Sequence, residues 1–166
     1  MQTPMGEDCL NLGITVPYAV AVPKMPVYVW FHGGGFQNGD AALVDPTAYA
    51  MATRNNIIVV TVNYRLGLLG YFGLPLLDAG DGKTGNYGLE DQQAALRWVR
   101  SSAAALRVDG GRIALAGESS GGNLAAALAL RALRLGLTPI RYLLLLEPAL
   151  DARMQRSEEH TSELQS

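Results

Sequence analysis

One cysteine and two histidines are all that the 166 residues offer for a disulfide or a soft metal site. Cys9, His32 and His160 stand far apart without metal-ligand spacing, so neither a metal nor an internal disulfide is expected. An excess of charge of one sign is also missing. Thirteen Lys and Arg against fifteen Asp and Glu leave a net charge of −2, which provides no basic footprint for nucleic acid. No apolar run reaches the ~18 residues of a membrane span, and no internal repeat or low-complexity tract interrupts the chain. A soluble globular chain of one-domain length is expected, with no cofactor.

What is present is apolar residue, 49% of the chain, punctuated by 19 glycines and 8 prolines. Apolar runs predict strands over Leu10–Val16, Val27–Phe31, Ile57–Val62, Arg112–Ala116 and Tyr142–Leu146, and helical patterns fall over Pro46–Arg54, Leu89–Ala105 and Gly121–Leu135. Buried strands separated by helices imply an α/β fold with a mostly parallel sheet covered on both faces and its chemistry at the C-terminal strand ends. The segment Leu66–Gly88 reads as a glycine-rich surface excursion.

Two motifs lie at such strand ends. Gly117-Glu118-Ser119-Ser120-Gly121-Gly122 fits G-x-S-x-G and sits between an apolar run and an Ala/Leu-rich helical run. A serine on a sharp strand-to-helix turn needs small neighbours to clear the turn and ends with its hydroxyl exposed, which makes Ser119 a candidate nucleophile. The second motif, His32-Gly33-Gly34-Gly35-Phe36, directly follows Val27–Phe31. Consecutive glycines leave bare backbone N–H groups, so Gly34 and Gly35, with the N–H of Ser120, are candidate oxyanion donors. Gly80-Asp81-Gly82-Lys83-Thr84-Gly85 matches G-x-G-x-x-G formally, but no strand precedes it, and Leu77 occupies a position where a phosphate loop needs glycine.

Glu7-Asp8-Cys9-Leu10-Asn11-Leu12, the glycine motif, Asn63-Tyr64-Arg65-Leu66-Gly67, Gly85-Asn86-Tyr87-Gly88-Leu89-Glu90-Asp91-Gln92-Gln93 and the serine motif resemble, in order, signatures of the type-B carboxylesterase/cholinesterase family. Val108–Ile113, Asn123–Leu128 and Leu146–Asp151 look more like the hormone-sensitive-lipase group of the same superfamily. The resemblance implies an α/β-hydrolase fold and hydrolysis of carboxylic esters with short to medium acyl groups through an acyl-enzyme on Ser119. It implies that Glu118 lines the gorge and supports the catalytic histidine, and that Arg65 and Asp91 form a buried ion pair. It leaves two alternatives, a non-catalytic cholinesterase-like binding or adhesion domain and an esterase of the lipase-like group.

Neither histidine suits the base role. His32 precedes the serine, the wrong chain order for this fold, and is expected to brace the glycine loop. His160 lies in residues 156–166, RSEEHTSELQS, which resemble a translated short-read sequencing adapter and are expected to be a non-native tail. Glu147 and Asp151 are expected to be ordinary strand-end residues. Residues 1–155 are therefore expected to be the N-terminal part of a hydrolase domain, with the nucleophile and oxyanion half of a site but without its acid and histidine, and inactive alone.

Overall fold

The computed structural model describes residues 6, 8–18, 24–77, 84–136 and 140–150. Gly80–Lys83, Asp151, His160 and the 156–166 tail lie outside them.

Strand β2 (Met25–Phe31) is the middle of the sheet. Met25, Val27, Val29 and Phe31 alternate along it with half-buried residues and are at most 1% exposed. On one side lies β3 (Ile58–Val62), buried at every position, as a β-branched run inside a doubly covered parallel sheet should be. On the other lies β4 (Val108–Glu118), followed outward by β5 (Ile140–Leu146), while β1 (Leu12–Thr15) borders β3. The order is β1-β3-β2-β4-β5, and only β1 is antiparallel to its neighbour.

Helices cover both faces. Ala48 and Ala52 of α1 (Asp45–Asn55) pack on Val59. On the opposite face, α3 (Tyr87–Ser101) buries Gly88, Gln92, Ala95 and Val99, a stripe at helical spacing, and α4 (Ser120–Arg134) buries Leu124, Ala125 and Leu128. Val99, Leu124 and Leu128 join Val60, Val62 and Leu115 in the main core.

Several boundaries differ from the sequence reading. The fourth strand starts at Val108, not Arg112, because Val108 pairs with Met25 before a register shift and regular pairing from Val27 with Ile113. The helix expected to reach Ala105 stops at Ser101, and the turn that follows brings the Arg107 carbonyl to the Met25 N–H at 3.0 Å. The Leu66–Gly88 excursion holds a short helix, α2 (Gly67–Tyr71), and a 3₁₀ turn over Pro75–Leu77.

The Arg65 guanidinium meets Asp91 in a fork, at 2.8 Å from Nε and 2.7 Å from Nη2, and its own N–H donates to the same carboxylate at 3.0 Å. Only the acid is buried, at 8% exposure against 36% for Arg65. The expected buried pair is therefore half open to water. Breaking it costs less than the ~3–5 kcal/mol of a fully buried one.

Candidate active site

Ser119 stands between the last residue of β4 and the first of α4, half-buried, with φ 52° and ψ −119°. Such a backbone is rare for a residue with a side chain and costs of order 1–3 kcal/mol, so the surroundings must hold it. Its N–H donates to the Leu146 carbonyl at 2.9 Å, and its carbonyl accepts from Asn123 and Ala149, both at 3.1 Å. Space, not φ, demands glycine on each side. A Cβ on Gly117 would strike the Gly121 and Gly122 backbone, and one on Gly121 would strike the carbonyls of Phe31 and His32. Helix α4 thus starts wedged against the end of β2, which brings the two motifs together.

The loop after β2 abuts the serine so closely that a Cβ on Gly33 would lie 3.3 Å from the Ser119 Cβ and 3.0 Å from the Glu118 carbonyl oxygen. The Phe36 N–H donates to Ser120 Oγ at 3.3 Å, and the Phe36 carbonyl accepts from Gly67 at 2.6 Å. Gln37 and Asn38 close a turn on the Gly34 carbonyl, each at 3.1 Å. Among the described residues, the N–H groups of Gly34, Gly35 and Ser120 have no hydrogen-bond acceptor. Gly34 and Ser120 are half-buried and buried, respectively, and Gly35 is exposed.

His32 is buried, its ring stacked on Tyr64 at a centroid distance of 4.5 Å. Nδ1 lies 2.8 Å from the Gly33 carbonyl, which assigns the ring proton to Nδ1. Burial lowers its pKa below the ordinary value, against smaller opposing effects of the Gly33 hydrogen bond and the Asp40 charge. The ring is therefore neutral at pH 7. The Tyr64 hydroxyl, held protonated by burial, donates to the His32 carbonyl at 2.6 Å.

No described side chain hydrogen-bonds the Ser119 hydroxyl. Glu118 is exposed at the end of β4, opposite Leu146. Glu147 is exposed too, with φ 43° just past β5. No group of three or more His, Cys, Asp or Glu among the described residues could hold a metal ion, and no described helix is long and apolar enough to cross a membrane.

Two supporting residues escaped the sequence reading. Tyr64 lay within a quoted motif without an assigned role, and Asn123, whose Nδ2 donates to the Ala149 carbonyl at 2.7 Å, ties α4 to the segment after β5. Neither carries a local signal, because each acts on a backbone carbonyl distant in sequence.

Known structures share this fold. A hyperthermophilic esterase from the archaeon Pyrobaculum calidifontis matches with a TM-score of 0.70 and 33% identity, covering 84% of this chain and 41% of that one. A bacterial heroin esterase matches with a TM-score of 0.72 and 30% identity, covering 91% and 48%. The sheet order, its flanking helices and these likenesses define an α/β-hydrolase fold. More narrowly, the chain belongs to the carboxylesterase family, whose model matches residues 1–138. It is 42% identical over 135 residues to the medium-chain fatty acyl-CoA hydrolase precursor of Anas platyrhynchos, and 43% identical over 136 residues to a cocaine esterase of Oryctolagus cuniculus. These matches take in 80% and 81% of this chain but 23% and 24% of the relatives' length.

Proposed function

We propose that this chain supplies the nucleophile and oxyanion half of a serine esterase acting on carboxylic esters with short to medium acyl groups. The observation that carries the reading is the strained Ser119 set against a glycine loop, with the Gly34, Gly35 and Ser120 N–H groups unpaired among the described residues. Donors already fixed where negative charge develops need no reorganisation during the reaction, and each such donor is typically worth ~10²–10³ in rate.

In the proposed reaction Ser119 Oγ attacks the ester carbonyl carbon while a histidine that is neither His32 nor His160 takes its proton. The carbonyl oxygen becomes an oxyanion held by the three N–H groups. Collapse breaks the ester C–O bond, the histidine returns the proton to the leaving alkoxide, and the alcohol departs. Water, deprotonated by the same histidine, then releases the acid and restores Ser119. Glu118, exposed beside the nucleophile, supports the histidinium electrostatically, while the neutral His32 braces the glycine loop. Residues 1–155 form this part of the hydrolase domain, and residues 156–166 are a non-native tail.

The test uses two proteins, the 166-residue chain and an enzyme in which it is joined to the downstream portion of a carboxylesterase relative. The joined enzyme is expected to cleave a short-chain p-nitrophenyl ester and to be labelled at Ser119 by a fluorophosphonate, and Ser119→Ala loses both, with turnover down by about 10⁶. The chain alone is expected to show no appreciable turnover. A folded joined enzyme that resists the label and cleaves no ester favours a non-catalytic binding or adhesion domain instead.

A further inference from the structure

In the buried stripe of α3, between Gly88 and Ala95, lies one polar side chain, Gln92, which is 0% exposed. Neither its Nε2 nor its Oε1 has a hydrogen-bond partner among the described residues. The hydroxyl of Tyr71, the last residue of α2, is buried and unpartnered there as well. Burial keeps it protonated, so it can both donate and accept. Buried polar groups left unpaired are costly, and native folds satisfy nearly all of them.

The two side chains belong to the same stretch of α3. A Cβ on Gly88 would collide with the Tyr71 hydroxyl and lie 2.7 Å from the Arg65 carbonyl oxygen, so glycine at 88 makes room for the tyrosine. Gln92 is one turn further along the same stripe, and side chains on a helix lean back toward its N-terminus, which directs the amide toward that hydroxyl. Yet the two do not bond each other. Complementary polar groups that face each other beyond direct hydrogen-bond distance are the setting of a bridging water, and an internal water typically makes about three hydrogen bonds. Gln92 Nε2, Gln92 Oε1 and the Tyr71 hydroxyl offer that number of partners.

Tyr71 also backs the glycine loop. Its ring meets the Phe36 ring edge-on at a centroid distance of 5.2 Å, while the Phe36 N–H donates to Ser120 Oγ and the Phe36 carbonyl accepts from Gly67 at the start of α2. We propose that Gln92 and Tyr71 hold a single internal water, which pins α2 to α3 and through Tyr71 fixes Phe36 at the end of the glycine loop. This anchor does not depend on the reaction at Ser119.

The full 166-residue chain and its Gln92→Met and Tyr71→Phe variants test this, the second variant removing only one buried hydroxyl. Water oxygen-17 relaxation dispersion should count one long-lived internal water fewer in each variant than in the parent. In chemical denaturation each variant should lower the folding equilibrium constant about tenfold, because the partner group is left unpaired. The double variant should lose less than the product of the two, since both substitutions break one bridge. Amide hydrogen exchange at Phe36 and Gly67 should quicken about tenfold in either variant while Val60 of β3 follows only the change in global stability. A higher folding constant in both variants would mean that the groups are simply unpaired, and would overturn the proposal. So would an unchanged count of long-lived waters, or exchange at Phe36 and Gly67 that moves only in step with Val60.

Discussion

Strands β3 and β5 are both predominantly apolar and end in opposite surroundings. Ile58–Val62 is buried at every position, whereas Tyr142, Leu143, Leu144 and Leu146 of β5 are 76%, 42%, 47% and 42% exposed. Both runs lack polar alternation, the pattern of a strand covered on both faces. The difference is neighbours. β3 lies between β1 and β2, with α1 on one face and the main core on the other, while β5 pairs with β4 alone among the described residues. Composition sets how much apolar surface a strand can bury, and the elements beside it set how much it does. An apolar edge of this kind is also a template for pairing with another strand.

The comparison breaks if side-chain truncation costs the same in both places. Phe31→Ala in β2, which lies within the doubly covered core beside β3, should destabilise the chain by about 3–5 kcal/mol in chemical denaturation. Gly121→Ala comes next. Its methyl group collides with the Phe31 and His32 carbonyls, so a loss of about 1–3 kcal/mol and a lower thermal midpoint are expected. An unchanged midpoint would show that α4 is not wedged against β2.

A smaller effect follows from His32. Because burial lowers its pKa below the ordinary 6.5, the unfolded chain binds a proton more readily than the folded one. Its contribution is therefore full above pH 6.5 and is lost as pH falls from there through the folded value. Thermal midpoints at about pH 7.5 and 5.5 should differ more in the parent than in His32→Asn. Equal slopes would remove His32 from the account.

The smallest change is expected at the edge. Leu144→Lys should alter stability by no more than ~0.5 kcal/mol, as surface substitutions do. Sedimentation should show less self-association, because a lysine blunts an apolar sheet edge. A loss comparable to Phe31→Ala would mean that β5 is covered after all.

The alternation of apolar runs and helical patterns, with two glycine-framed motifs at strand ends, was enough to read the α/β class and to name Ser119, Ser120, Gly34 and Gly35 as site candidates. Those signals are local: turn chemistry demands glycine within a few residues of the serine, and strand and helix periods repeat within one element. What depended on distant partners was not legible. The start of β4 at Val108 follows from its pairing with Met25, the half-open Arg65–Asp91 pair from how two separate elements meet, and the parts played by Tyr64 and Asn123 from carbonyls 32 and 26 residues away. Glycine at 117 and 121 was set by sequence, but only packing shows why: the backbone of α4 and the carbonyls ending β2 occupy the space a Cβ would need. The same holds for β5, whose apolar sequence specifies a buried strand while the described sheet leaves it at an edge, because burial is a property of neighbours and not of the strand.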